Sequence, residues 1–109
     1  MTYEIIVYQT DSGKEPFNDW LDNIDFNDQA RILKRVDRLK LGNFGDHKSL
    51  GDGIYELRFT YGGGYRAYYG IRDNKIVILL CGGNKKAQSS DIESAKQFWR
   101  DYNENIQDT

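Results

Sequence analysis

The chain of 109 residues has the length of a single domain and is long enough to bury one hydrophobic core. Its hydrophobic fraction of 39% and aromatic fraction of 14% exclude an intrinsically disordered chain. The net charge of −2 does not indicate a general nucleic-acid binder, but residues 44–86 carry seven Lys or Arg and only four Asp or Glu. This basic middle segment either forms a positive face or reflects ordinary surface scatter.

The sequence contains no signal for membrane insertion or export. No apolar run approaches the roughly 20 residues of a membrane-spanning helix, and the longest, residues 76–81, fits a buried strand. The first eight residues contain neither a basic leader nor a small-residue cleavage site, so no secretory signal is expected. Cys81 is the single cysteine and cannot form an internal disulfide. We therefore expect a cytoplasmic protein without a membrane partner.

The first part of the chain predicts one strand followed by two helices. Residues 3–8 are rich in β-branched and aromatic side chains, which favours a strand. Residues 15–21 have a proline in the first turn and apolar side chains at helical spacing, which predicts a short helix. A second helix is expected from its cap Asp25 to Gly42, forming an antiparallel hairpin with the first. Its apolar face would consist of Ala30, Leu33, Val36, Leu39 and Leu41.

The second part predicts a loop, three strands and a final helix. Residues 42–53 contain four glycines with Asn and Asp, which is typical of a loop. Strands are expected over residues 54–61, 65–72 and 75–81, joined by a Gly-Gly-Gly and an Asp-Asn turn. The last helix is expected to begin near Ser90, which would form a capping box with Glu93.

The element order β-α-α-β-β-β-α favours a single α+β domain over residues 1–109. In this architecture an antiparallel sheet packs against the N-terminal helical hairpin and the C-terminal helix. Trp20 and Trp99 lie at helical apolar spacing and are expected in the core.

Common catalytic and metal-binding signatures are absent from the sequence. There is no phosphate-binding Gly-Lys-Ser/Thr loop, and one Cys and one His do not suffice for the usual zinc sites. The three glycines at 62–64 lie between strands, so a tight turn is favoured over a phosphate cradle. No grouping of Ser, Cys and His supports a catalytic triad. We therefore expect neither a metal nor another cofactor.

A set of cationic side chains on or beside the predicted sheet provides the candidate site. Its members are Arg58, Arg66, Lys85, Lys86, His47 and Lys48. Arg58 and Arg66 have the same strand parity about the glycine turn and could point to one face, whereas Lys85 would lie at the rim of the sheet. Clustered cations suit a phosphodiester because they bind it and can stabilise a more highly charged transition state. Alternatively, each cation pairs with a nearby acid such as Glu56 or Asp91.

Two further candidates have both a functional and a structural interpretation. His47 could donate or accept a proton near neutral pH, or it could be an ordinary surface residue. Four tyrosines could stack on bases or pack against helices: Tyr61, Tyr65, Tyr68 and Tyr69. Tyr65, beside Arg66, is the one we expect on an exposed face.

Sequence motifs occur in a familiar order along nearly the whole chain. They are Phe17-x-x-Trp20-Leu21, Gly42-Asn43-Phe44-Gly45-Asp46, Tyr55-Glu56-Leu57-Arg58, Gly64-Tyr65-Arg66-Ala67-Tyr68-Tyr69, Leu79-Leu80-Cys81-Gly82-Gly83-Asn84-Lys85-Lys86-Ala87-Gln88, and Asp91-Ile92 with Ala95. This pattern resembles the addiction-module killer proteins, which are HigB-like members of the RelE/ParE toxin superfamily related to phage Gp49-like proteins.

The resemblance implies the toxin of a type II toxin–antitoxin system, acting as a ribosome-dependent mRNA endonuclease (an mRNA interferase) that inhibits translation without a metal. By position, Arg66 would contact the scissile phosphate, Arg58 would support that phosphate, and Lys85 would assist the leaving group, with Lys86 as the alternative. His47 would fill part of the acid–base role. We expect Lys48, Tyr65 and Lys86 to contact the RNA.

Two positions depart from the pattern of the superfamily. Glu56 stands where RelE has a second basic residue, and Ser89-Ser90-Asp91-Ile92 lacks the aromatic acid–base residue expected early in the last helix. The alternative functions are therefore a non-enzymatic toxin of the gyrase-inhibiting type and a degenerate toxin that acts as an antitoxin-binding co-repressor. The implied partners are a cognate antitoxin, often with a helix-turn-helix domain, in a toxin–antitoxin hetero-oligomer, together with the ribosome and mRNA.

Overall fold

A computed structural model describes residues 2–107 as a five-stranded sheet with helices on both faces. The strands are β1 (Glu4–Val7), β2 (His47–Gly51), β3 (Ile54–Arg58), β4 (Arg66–Arg72) and β5 (Ile76–Gly83). The helices are α1 (Pro16–Asp22), α2 (Phe26–Lys40) and α3 (Gln88–Gln107), and a single 3₁₀ turn (Lys85–Ala87) leads into α3. The predicted α+β class is confirmed. None of the helices in this range is long and apolar enough to cross a membrane.

The strands follow the order β1-β5-β4-β3-β2 across the sheet. Neighbours from β2 to β5 are antiparallel, whereas β1 lies parallel to β5 at one edge. The sheet is therefore mixed, with one parallel pair in addition to the predicted antiparallel strands. This pair arises because α1 and α2 carry the chain from β1 to the opposite edge, and the strands then return one by one.

The predicted loop over residues 42–53 contains an additional strand, so that prediction was wrong for residues 47–51. Strand β2 pairs with β3, and the two are joined by Asp52 and Gly53, which have φ values of 56° and 84°. This is an Asp-Gly hairpin turn, for which positive φ values are required. An edge strand open to solvent needs few apolar side chains, and the composition of this segment therefore resembled that of a loop.

The C-terminal helix begins earlier than predicted. Its first residue is Gln88, and Ser90 lies within the first turn, where its hydroxyl donates to the Ala87 carbonyl. The side chain of Asn84 accepts a hydrogen bond from the Ala87 amide at 3.2 Å and caps the preceding 3₁₀ turn. The predicted Ser90 cap was wrong because the 3₁₀ turn continues directly into the helix.

The face of the sheet toward α1 and α2 is covered by an apolar cluster. Its buried members are Phe17, Leu21, Ile32, Val36, Leu39, Leu57, Phe59, Ala67, Tyr69, Val77 and Leu79. Helix α2 therefore turns Ile32, Val36 and Leu39 inward, and the predicted face was only partly right because Ala30, Leu33 and Leu41 are exposed. The helix carries two apolar stripes, and one of them remains on the surface.

Helix α3 covers the opposite face of the sheet. Its Ala95 and Trp99 pack with Ile54, Ile78 and Leu80. The Trp99 ring lies directly over Gly70, where any added Cβ would collide with it, and the indole nitrogen donates to the Asp52 carbonyl at 2.8 Å. The predicted core position of Trp99 is confirmed, and Trp20 packs against the other cluster as a partly buried residue.

Candidate anion-binding site

Three of the predicted cations meet in one open pocket at the end of the sheet where β3 and β4 are joined. The pocket has a volume of about 500 Å³. Its lining consists of Arg58, Arg66 and Lys85 with Asp46, Phe59, Thr60, Gly63 and Gly64. The site therefore combines the ends of two strands, the glycine turn between them and the 3₁₀ turn before α3.

Strand register explains why the two arginines share the pocket. Arg58 of β3 lies directly opposite Arg66 of β4. Opposite residues in an antiparallel pair point to the same face, and like charges in this position repel each other. Each guanidinium has its own carboxylate: Arg58 Nη2 lies 3.1 Å from Asp46 Oδ1, and Arg66 Nε lies 3.7 Å from Glu56 Oε1. The expectation that the cations pair with acids is thus met for both arginines, although for Arg58 the partner is Asp46.

The turn between β3 and β4 has the tight form predicted from its three glycines. Gly62, Gly63 and Gly64 have φ values of 62°, 69° and 79°, a region that side chains disfavour. A Cβ on Gly64 would lie 3.2 Å from the Cβ of Lys85, and the Lys85 amide donates to the Gly63 carbonyl at 3.4 Å. The glycine turn therefore lets Lys85 approach the arginines.

Arg66 is the most firmly held of the three cations. Its Nη1 donates to the carbonyls of Gly64 and Tyr65, both at 3.3 Å. Its side chain is 12% exposed, whereas that of Arg58 is 37% exposed and Lys85 lies on the surface. The pocket thus has one largely buried guanidinium with two more exposed cations around it, an arrangement suited to an anion with several oxygens.

Buried polar groups lie behind Arg66, beneath the start of α3. The Glu56 carboxylate accepts a hydrogen bond from Gln88 Nε2 at 2.7 Å. The pKa of the nearby Tyr68 hydroxyl is raised by burial and by the neighbouring Glu56 carboxylate. Burial also raises the pKa of Asp91, which packs against Gly83, the residue opposite Arg66 on β5. A largely buried polar layer therefore lies behind Arg66, outside the lining of the pocket.

His47 lies apart from the pocket. It is opposite Leu57 in the sheet and faces α1 and α2, where its ring contacts those of Phe44 and Tyr55 at centroid distances of 5.3 and 5.8 Å. The cations that line the pocket lie on the other face. Because residues 47–51 form an edge strand, His47 belongs to the sheet and not to a loop that could fold over the site.

None of the three predicted RNA-contacting residues lines the pocket. Lys48 is exposed opposite Glu56, and Lys86 is exposed on the 3₁₀ turn beside Lys85. Tyr65 is half-buried, because its hydroxyl donates to Asp28 at 3.0 Å and its ring contacts Trp20 edge-on at 5.9 Å. Neither lysine lines the pocket, and Tyr65 is occupied by packing.

Sequence reasoning missed two residues of the site. Asp46 lines the pocket because β2 brings it beside Arg58, whose amide donates to the Asp46 carbonyl at 2.9 Å. Gln88 reaches Glu56 because α3 begins at that residue. The Asp52-Gly53 dipeptide is a hairpin signal that would have revealed β2 and hence the position of Asp46.

Comparisons with known proteins agree with the fold and cover the site. The model of the family described as phage-derived protein Gp49-like (DUF891) matches residues 19–100, a range that contains the whole pocket. An uncharacterised protein of Haemophilus influenzae is 48% identical over 81 residues, which are 73% of this chain and 82% of that protein. The fold is similar to that of an arginine-to-alanine double mutant of the E. coli toxin RelE in the free state, with a TM-score of 0.65 and 17% identity over 89% of this chain and 98% of that chain. The predicted RelE-like fold is confirmed.

Proposed function

The chain belongs to the family of phage-derived Gp49-like proteins and has the fold of the toxin RelE, and from this premise we propose that it is the toxin of a type II toxin–antitoxin system. We propose that it acts as a ribosome-dependent mRNA endonuclease and thereby inhibits translation. The pocket in which Arg58, Arg66 and Lys85 converge is the observation that carries this proposal. Its cations suit the phosphodiester of an RNA strand, which carries its negative charge on oxygens.

The proposed reaction is an internal transesterification of the RNA and consumes no other reactant. The 2′-hydroxyl oxygen attacks the adjacent phosphorus as its proton passes to water, and the bond to the 5′ oxygen breaks. The leaving oxygen takes up a proton from water, so the products are a 2′,3′-cyclic phosphate and a 5′-hydroxyl. Arg66 would bind the non-bridging oxygens, and Arg58 would add charge as the pentavalent phosphorus forms. Lys85 would donate a hydrogen bond to the leaving 5′ oxygen. Charge that is fixed before the reaction stabilises the transition state without reorganisation.

The remaining candidate residues have more peripheral roles in this proposal. Lys86 is exposed beside the pocket residue Lys85, and Lys48 is exposed opposite Glu56; both would contact neighbouring phosphates. Tyr65 would hold the turn that carries Arg66, since its hydroxyl and ring are already engaged. His47 could take part in proton transfer only if the RNA also reached β2 on the face of the sheet covered by α1 and α2.

The test is an mRNA cleavage assay on purified bacterial ribosomes with Arg66→Lys and the matched Arg72→Lys. Arg72 lies at the other end of β4 and also pairs with an acid. A lysine ammonium cannot hold Glu56 and the turn carbonyls and at the same time present a further nitrogen to a phosphate, as the Arg66 guanidinium can. We expect Arg66→Lys to lose cleavage by roughly 100-fold or more, whereas Arg72→Lys cleaves like the wild type. Normal translation in a cell-free lysate supplied with the pure wild-type protein would contradict the proposal.

We further propose that a cognate antitoxin binds this protein in a cytoplasmic hetero-oligomer. An antitoxin segment with carboxylates over the pocket would neutralise it by charge and by occlusion. Co-expression of the antitoxin should restore growth to cells that express the toxin. Growth arrest that persists despite a stable complex would contradict inhibition by that antitoxin.

The ion pair between Arg66 and Glu56 favours one second candidate, a toxin that binds its target without cleaving RNA. In that case the pocket would recognise an acidic surface of a target protein such as gyrase, or only the antitoxin. Inhibition of DNA supercoiling by purified gyrase, with intact mRNA on ribosomes, would support the gyrase version. Tight antitoxin binding without growth arrest would support a co-repressor.

A further inference from the structure

Glu56 is the one charged side chain among residues 2–107 that is buried, with 1% of its surface exposed. It lies in the middle of β3, next to the edge strand β2, on the face of the sheet covered by α3. Burying a carboxylate destabilises a protein unless hydrogen bonds and an opposite charge compensate. The two groups that compensate here are Gln88 and Arg66, and Arg66 also lines the pocket.

The two oxygens of Glu56 have separate partners. Oε2 accepts the hydrogen bond from Gln88, and Oε1 faces Arg66 Nε at 3.7 Å. Among residues 2–107 neither Glu56 Oε1 nor Arg66 Nε has a hydrogen-bond partner, although both atoms are buried. Their ion pair is therefore the contact that compensates the burial of these two atoms. Gln88 fixes the carboxylate from the first turn of α3, directly after the 3₁₀ turn that carries Lys85.

The contacts of Arg66 leave one part of its guanidinium for a ligand. Nε faces Glu56, and Nη1 is bonded to the Gly64 and Tyr65 carbonyls. Nη2 has no partner among residues 2–107, and the side chain borders the pocket. A long arginine side chain loses much rotational freedom when it binds a phosphate, and contacts formed beforehand remove that loss.

We propose that Glu56, held by Gln88, is a positioning residue that fixes the Arg66 guanidinium with Nη2 directed at the phosphodiester of the RNA. This inference rests on the proposed function for the identity of the ligand. It predicts that the carboxylate weakens binding of an anion, because its charge opposes the anion, and improves the placement of that anion for cleavage. A residue with a merely structural role would support both properties together.

The experiment compares Glu56→Gln, Gln88→Ala and the control Asp73→Asn in ¹⁵N-labelled protein. Asp73 is the acid of the exposed pair with Arg72, and asparagine tolerates its φ of 55°. Three properties are measured: the NMR signal of the Arg66 Nε–H group, the Kd for inorganic phosphate, and the single-turnover rate of mRNA cleavage on ribosomes. Asp73→Asn should leave all three readouts unchanged.

In Glu56→Gln we expect the Arg66 signal to shift and broaden. The Kd for phosphate should fall about threefold or more, because a negative charge next to the anion is removed. The cleavage rate should fall roughly 10- to 100-fold, because a misplacement of about 1 Å has an effect of that order. Gln88→Ala should lower the rate without tightening phosphate binding, because Glu56 keeps its charge.

The proposal is overturned if Glu56→Gln leaves the Arg66 signal unchanged, or if phosphate binding and cleavage weaken in parallel. If Glu56→Gln does not fold, Gln88→Ala decides: an unchanged Arg66 signal in that variant overturns the proposal. If the wild type does not cleave RNA, the proposed function has failed, whereas the Arg66 signal and the phosphate Kd still test the positioning role.

Discussion

Strand β4 carries an arginine at each end, and each arginine pairs with a carboxylate at nearly the same distance. Arg66 lies 3.7 Å from Glu56, and Arg72 lies 3.5 Å from Asp73. Their surroundings differ: Arg66 and Glu56 are 12% and 1% exposed, whereas Arg72 and Asp73 are 35% and 69% exposed. Water competes for the exposed pair, so its geometry is loose and its contribution small. Burial, and not the contact distance, makes the Arg66 pair a fixed part of a site.

The turns at the two ends of β4 differ in the same way. Asp73 and Asn74 turn the chain at the Arg72 end with φ values of 55° and 56°, and both keep their side chains. At the Arg66 end a Cβ on Gly62 would collide with the ring of Tyr65, and one on Gly64 would approach Lys85. Glycine is needed there for space as well as for backbone conformation. The turn at the Arg66 end is therefore the more closely packed of the two, although it borders the open pocket.

The largest expected difference between the buried Arg66–Glu56 pair and the exposed Arg72–Asp73 pair is in their contribution to stability. Arg66→Ala leaves the Glu56 carboxylate buried without its cation, which should lower the free energy of unfolding by about 3–5 kcal/mol. Arg72→Ala removes an exposed pair and should change it by less than about 1 kcal/mol. Urea unfolding followed by tryptophan fluorescence measures both. Equal losses in the two variants would show that burial does not distinguish the pairs.

A smaller effect is expected in the glycine turn. Gly64→Ala introduces a side chain at a positive φ and should lower the free energy of unfolding by about 1–2 kcal/mol. Gly63→Ala provides the control, because its φ is similar and an added Cβ would meet nothing within 4 Å. Urea unfolding should therefore give similar losses for both variants. Phosphate affinity, measured by calorimetry, should fall only for Gly64→Ala, since only that Cβ displaces Lys85.

The sequence alone predicts the central part of the site for a clear physical reason. The alternation of side chains along a strand determines on which side of the sheet Arg58 and Arg66 lie, and the glycine turn between them determines the pairing register of β3 and β4. Both depend on local chemistry, so the shared face is predictable. The position of Lys85 follows in the same way from the end of the last strand.

The parts that sequence reasoning missed depend on tertiary structure. The segment that contains His47 has the composition of a loop, and it becomes a strand only because the edge of β3 is available for pairing. That pairing turns His47 away from the pocket and brings Asp46 into it. Gln88 precedes the predicted start of the last helix, so its contact with Glu56 was not anticipated. The Asp52-Gly53 turn is a local signal for β2, whereas no local pattern indicates the contact between Gln88 and Glu56.

The smallest expected effect concerns Asp91, which lies beneath the pocket end of the sheet against Gly83, opposite Arg66. Burial raises the pKa of this carboxyl above its ordinary value of about 3.9. The folded protein therefore holds the proton more tightly than the unfolded chain does. Near pH 3 the carboxyl is neutral in both states and does not affect stability. As the pH rises past the ordinary pKa, the unfolded chain ionises first, and wild-type stability falls until the raised pKa is passed.

In Asp91→Asn the side chain at this position is neutral at every pH, so the variant should not lose stability in this way as the pH rises. Its melting temperature relative to the wild type should therefore increase as the pH rises above about 3 and should remain constant once the raised pKa is passed. Asp73→Asn is the control, because Asp73 is exposed at the other end of β4 and its change should not produce the same trend. Calorimetric melting curves across this range measure the difference. A difference that stays constant with pH would show that water reaches Asp91, and the polar layer behind Arg66 would then be as open to solvent as the Arg72 end of the strand.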